Sequence, residues 1–178
     1  MTFEPAEIVV LDTDENGLAN LIRDIRATYP NTATIVRGAT VGYGTPLGLS
    51  FVRHHQPYDW ILNFAALKHV RSERDATNAL RVVQVNVLEA ALFLQGISRF
   101  VKAPAGIFSV STDKAADPSN IMGASKRASE VLLGVSRDLA GIHESTRLTM
   151  ARFANVAFSS GSLLEAFVRR FEERQPLG

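Results

Sequence analysis

Residues 106–126 read GIFSVSTDKAADPSNIMGASK. A short β-branched and aromatic run, Gly106-Ile107-Phe108-Ser109-Val110, ends on the polar group Ser111-Thr112-Asp113-Lys114. From Asn120 to Ala140 the pattern changes period. Ala124, Ala128, Val131, Leu132 and Val135 fall on one side of a helix. This is a strand, a polar exit and a helix, the basic unit of a parallel α/β sheet.

The same unit repeats outward in both directions. Toward the N-terminus, Glu7 to Asp12 (EIVVLD) reads as a buried strand, and Asp14 or Asn16 can cap the helix after it. Leu18, Leu21, Ile22 and Ile25 recur there at helical spacing until Pro30-Asn31. Thr32 to Arg37 (TATIVR) predicts a second strand, Leu47 to His55 a helix, and Trp60 to Ala65 (WILNFA) a third strand. Thr77 to Gln95 reads as one long helix, apolar nearly all round in its second half. Toward the C-terminus, Arg147 to Asn155 predicts a fifth strand and Ser162 to Arg174 a last helix before Pro176. Strands alternating with helices predict a parallel sheet covered on both faces, in a single domain over residues 1–178.

In such sheets, ligands sit beyond the carboxyl ends of the strands. Asp12, Ala65 to His69, Ser111 to Lys114 and Asn155 to Ser162 all fall at those ends. The chain has 178 residues, 46% apolar and 21% charged, with net charge +1. That balance gives no basis for a nucleic-acid partner. Cysteine is absent, which excludes disulfides and thiolate metal sites. His54, His55, His69 and His143 have no metal-ligand spacing, so no metal is expected. No apolar run in the sequence approaches the roughly 20 residues of a membrane span. The N-terminus has no signal-peptide layout, and a cytoplasmic setting is the expectation.

Four segments carry a family resemblance: Ala65-Ala66-Leu67-Lys68-His69-Val70, Asn86-Val87-Leu88, Ser111-Thr112-Asp113-Lys114-Ala115, and Asn120-Ile121-Met122-Gly123-Ala124-Ser125-Lys126-Arg127. Together they resemble the nucleotide-sugar 4,6-dehydratases of capsule and glycan biosynthesis, extended short-chain dehydrogenases acting on UDP-N-acetylglucosamine. The opening LDTDENGL is similar to the family's second strand and the acidic turn after it. ARFANV…SSGS is similar to its R-F-G-N-V-x-G-S-R-G-S segment. Short-chain dehydrogenases usually carry Y-x-x-x-K; here Met122 stands four residues before Lys126. One branch of the family has methionine at this position.

The resemblance implies a set of roles. Thr112 would bond the sugar's 4-hydroxyl, Asp113 would be the general acid for loss of the 6-hydroxyl, and Lys114 would remove the C5 proton. Met122 would wall the site. Lys126 would hold the nicotinamide ribose of NAD or NADP. Asp12, Ala65, Ala66, Asn86 and Ser111 would line the cofactor, and Lys68, His69, Asn155 and Ser162 the UDP-sugar. A dry site would keep Asp113 protonated and let Lys114 lose its proton near neutral pH. Blander readings stand beside these. Thr112-Asp113-Lys114 can be an inert capping turn, Asp12 only a helix cap, and Lys68-His69 surface residues.

The departures are equally specific. The fold normally opens with a strand and a G-x-G-x-x-G turn. The sequence has neither ahead of Glu7, and it stops before a C-terminal substrate lobe. The expected fold is therefore a Rossmann-like sheet lacking its first, central strand. Either the flanking strands pair directly, or another chain fills the gap, or the sequence is part of a longer protein. Gly38-Ala39-Thr40 stands for the family's G-D-V, Glu89 for a glycine, and Ala154, Phe158 and Ser160 for Gly, Gly and Arg. Weak NAD binding and self-association, or a partner supplying the missing strand, are the expectations. A non-catalytic relic or a binding subunit is the alternative to an enzyme.

Overall fold

The computed structural model describes residues 3–67, 75–154, 156–157 and 162–176. Strand β1 (Glu7–Asp12) leads into helix α1 (Glu15–Thr28). Asp14 is the cap: its carboxylate accepts the Asn16 amide, satisfying one of the free donors of the first turn. Strand β2 is Ile35–Thr40, not residues 32–37. The reason for the shift is local. The Thr32 hydroxyl donates to Thr34, and the Thr34 hydroxyl donates to the Pro5 carbonyl at 2.6 Å. Those threonines are spent on the turn, and the ladder starts where Ile35 meets Glu7.

Helix α2 (Pro46–His54) follows, with Thr45 as cap and proline in its first turn. Strand β3 (Trp60–Asn63) ends earlier than expected. Asn63 folds its side chain back to accept the Ala65 amide at 3.0 Å, an Asx turn that breaks the strand.

The long helix has an internal irregularity. Helix α3 (Ala76–Val83) passes through a π-helical turn (Gln84–Leu88) into α4 (Glu89–Ile97). Over Ala76–Ile97 the run has the length and apolarity of a membrane span, which the sequence reading did not expect. In the fold one face packs inward, while Leu80, Leu88 and Leu92 are exposed. Val82, Asn86, Phe93, Leu94 and Ile97 are buried, and Glu89 pairs with Arg81.

Strand β4 (Gly106–Thr112) then gives a single 3-10 turn at Asp113–Ala115. Helix α5 (Ile121–Gly134), capped by Asn120, breaks at Val135, and α6 (Ser136–Ala140) ends at Gly141, whose φ of 72° is the left-handed cap that glycine adopts without strain. Strand β5 is Arg147–Phe153 and helix α7 is Leu163–Glu172.

All described ladders are parallel, and they form two sheets, β1-β2 and β3-β4-β5. The architecture is Rossmann-like α/β. The core lies over the second sheet, where Ile61 and Ile107 pack with Val52, Phe93, Leu94, Ile97, Leu133 and Ile142. Each such side chain contributes about 1.5–3 kcal/mol over leaving it in water. Direct pairing of the strands that flank the gap does not occur: β1 and β3 are not ladder neighbours.

Candidate active site

The exit of β4 is built by small contacts. Thr112 closes the strand, and its hydroxyl accepts the Lys114 amide while donating to Asp113 Oδ1 at 2.9 Å. Asp113 Oδ1 also takes the Lys114 amide at 2.9 Å and lies 3.4 Å from Lys114 Nζ. Helix α5 presses on this turn through Gly123. A Cβ there would stand 2.7 Å from the Lys114 carbonyl, so glycine is required for the close approach. One turn further, buried Lys126 donates from Nζ to the Val110 carbonyl at 2.9 Å. Thr112, Asp113, Lys114 and Lys126 therefore gather at one strand end.

The electrostatics of Asp113 and Lys126 are set by different causes. Asp113 is exposed, and the Thr112 hydroxyl, followed by the Lys114 charge and amide, holds its carboxyl below the usual range. No burial desolvates it enough to reverse that. With no sugar over it, the turn favours the charged form of Asp113; the resemblance assigns its proton to a dry, sugar-covered site. At Lys126, burial lowers the pKa and the Glu130 charge partly pulls it back.

Met122 is 7% exposed and forms an apolar wall on the first turn of α5. Three predicted contact residues are committed elsewhere. Ser111 donates to Glu130 Oε1 at 2.6 Å. Asn86, 2% exposed, accepts the Leu67 amide at 2.9 Å and donates to the Leu67 carbonyl and the Ser125 hydroxyl. It clamps the loop after β3 onto α5. Ser162 caps α7, accepting the Glu165 amide at 3.2 Å. Lys68, His69 and Asn155 lie outside the described residues.

Asp12, Ala65 and Ala66 line a different feature, a slot of about 550 Å³ between β1 and β3. Asp12 is not the helix cap, although its Oδ1 accepts the Asp14 amide at 2.9 Å. Glu89 also lines this slot, as do Tyr43 and Asn63; burial and the Glu89 charge push the Tyr43 hydroxyl above its ordinary pKa. Thr112, Asp113, Lys114 and Lys126 are not among the slot's lining residues.

One charged hub was not legible in the sequence. Glu130, four residues after Lys126, is buried. It receives Arg152 through Nε at 2.8 Å and Nη2 at 2.7 Å, Arg127 at 3.1 Å and the Ser111 hydroxyl. These partners, Arg152 foremost, bring its pKa down to about 2. The hub ties β4, α5 and β5 together directly behind Lys126. An acid on a helix ordinarily reads as solvated surface; only the i, i+4 spacing from Lys126 could have marked it.

The comparisons with known proteins point one way. The model of the polysaccharide biosynthesis protein family matches residues 1–178. The capsular polysaccharide biosynthesis protein CapD of Staphylococcus aureus is 30% identical over 98% of this chain, which spans 28% of that protein's length. A UDP-N-acetylglucosamine 4,6-dehydratase (inverting) of Campylobacter jejuni is 31% identical over 65% of the chain and 33% of its own length. Among solved structures, Pen from Bacillus thuringiensis superposes with a TM-score of 0.75 at 23% identity, over 95% of this chain and 49% of that one. An NAD complex of UDP-glucuronic acid 4-epimerase from Bacillus cereus gives 0.68 at 15% identity, over 96% and 56%. At such identities these structures speak to the fold alone.

Proposed function

The chain belongs to the polysaccharide biosynthesis protein family, and on that premise we propose that it is the strand-and-lysine portion of a nucleotide-sugar 4,6-dehydratase acting on UDP-N-acetylglucosamine-type substrates. The observation that carries the reading is the Thr112-Asp113-Lys114 turn seated on Gly123 with Lys126 behind it.

The Asp113–Lys114 pair carries both proton transfers. In the ion pair the proton sits on lysine. A sugar laid over the pair strips water from both charges, and desolvation favours the neutral form of each. A proton passed from Lys114 to Asp113 yields an acid and an amine base without changing the net charge. Lys114 then takes the C5 proton, Asp113 gives its proton to the C6 oxygen, and water leaves. Thr112 turns its hydroxyl from Asp113 to the sugar's 4-hydroxyl. Met122 keeps this corner dry.

NAD or NADP, when bound, supplies hydride transfer from C4 and back to C6. Of the groups such a cofactor needs, Asp12 suits a ribose and Ala65-Ala66 a close flat wall, and both line the slot. Lys126 is within the β4 exit where the second ribose would lie. A glycine-rich phosphate turn is absent from the sequence. A cysteine-free chain acting on nucleotide sugars fits the reducing cytoplasm.

Incubation with UDP-N-acetylglucosamine and NAD, followed by mass spectrometry of the sugar nucleotide, tests the reading. The expected product is lighter by one water, and Lys114→Met and Lys126→Met abolish it. Unchanged substrate alongside demonstrable NAD binding would overturn it and favour a non-catalytic scaffold. The commitment of Ser111 and Asn86 to internal bonds is the observation on that side.

A further inference from the structure

We propose that Glu89 reads the adenine of the dinucleotide. Its buried carboxylate accepts the exocyclic amine of a base lodged at the carboxyl end of the slot between β1 and β3. This rests on the dehydratase reading, which supplies the dinucleotide, and it assigns one end of that dinucleotide to a residue.

Glu89 opens α4 and is 5% exposed. A buried carboxylate normally collects several donors. Glu130, as deeply buried, collects four hydrogen bonds. Among the described residues the Glu89 carboxylate has one partner, Arg81, whose Nη1 stands 3.5 Å away, long for a charge-assisted hydrogen bond. Tyr43, which lines the slot with it, spends its hydroxyl on the Val85 carbonyl at 2.8 Å. Glu89 is thus a desolvated acceptor short of donors. The chain also makes room for it. A Cβ on Gly42 would stand 3.0 Å from Glu89 Oε2, and one on Gly44 would stand 2.3 Å from the Glu89 carbonyl oxygen. The loop after β2 lies on this residue because both positions are glycine.

What Glu89 lacks is an N–H or O–H to accept. Its neighbours place it at the carboxyl ends of the strands. Asp12 ends β1, its carbonyl accepts the Val41 amide at 2.8 Å, and Asn63 ends β3. All three line the slot with Glu89. Ligands of open α/β sheets enter at that end. Lys126, which the reading gives to the nicotinamide ribose, is not among the slot's lining residues, so the slot takes the other end of the dinucleotide. Adenine has the required chemistry: flat apolar faces for Val41, Val85 and Phe93, and an amine for the carboxylate. Asp12 in the same slot suits the ribose diol. Two carboxylates there repel a phosphate on that ribose, which selects NAD over NADP.

The test is calorimetric titration of the full chain with NAD, NADP and nicotinamide hypoxanthine dinucleotide, in which a carbonyl oxygen replaces the amine. NAD should bind roughly tenfold or more tightly than either. In Glu89→Gln the side-chain amide can turn and donate to that oxygen, so NAD and the hypoxanthine form should bind alike. Glu89→Ala, which removes the acceptor and only vacates space, should also level the two. Both variants should gain affinity for NADP. Equal affinity of the parent chain for NAD and the hypoxanthine form overturns the proposal, and so does failure to bind either. A preference for NAD that survives both substitutions assigns the amine to another residue and overturns it too. Preference for the amine without loss of water from UDP-N-acetylglucosamine sinks the dehydratase reading and leaves Glu89 as the reader of adenine. Loss of water with both dinucleotides bound alike does the reverse.

Discussion

At Glu130, one buried carboxylate holds three elements through four polar contacts, and its partners set its titration. Its folded pKa, about 2, lies below the ordinary 4.5. The stabilisation it gives is therefore complete above about pH 4.5 and disappears as pH falls through 2. A shift of this size corresponds to roughly 3 kcal/mol. Glu130→Gln should lose about that much at pH 7 in urea unfolding, with the gap from the parent protein closing as pH approaches 2. A gap independent of pH would mean that the hub is packing and not charge. Thr112, Lys114 and Lys126 could be read from the sequence because they sit in dense motifs. Glu130 could not, since its value comes from Arg152, which lies on another strand and was adjacent to nothing in the sequence. Asp113 was legible in place, and its exposure to water was not, because that depends on how the 3-10 turn lies in the fold.

Among the elements, the π-helical turn Gln84–Leu88 has the largest consequence. The apolar pattern of residues 77–95 has a helical period throughout, and a single widened turn leaves no mark on such a pattern. Its effect is to present Asn86 between the loop after β3 and α5. There it satisfies both backbone groups of Leu67. Asn86→Ala should cost about 1–3 kcal/mol, because those half-buried groups lose their partner. Hydrogen exchange would show the change first at the Leu67 amide. If the loss were spread evenly over the molecule, the clamp would not be local. Boundaries elsewhere moved for similar reasons. Asn63 shortened β3 and the Thr32–Thr34 pair delayed β2, in each case a polar side chain taking a backbone group the ladder would have used.

On the scale of the whole molecule, the parallel α/β class followed from the order of apolar runs, and a gap between two groups of strands followed from the family resemblance. Whether the flanking strands would close up did not. That outcome involves residues the sequence keeps distant, such as Glu7, which lies 3.8 Å from His55. The chain spans 28% of the length of its CapD relative, and α7 leaves Leu163 and Phe171 exposed.

The single tryptophan of the chain, Trp60, stands on the rim of the slot between β1 and β3, backed by Gly106, whose missing side chain makes room for the indole ring. The molecule therefore contains its own fluorophore at a place where an occupant would exclude solvent. Its emission should move to shorter wavelength and become resistant to iodide quenching when the rim is covered. Spectra that stay fixed under saturating occupant would show that the indole faces away from whatever enters.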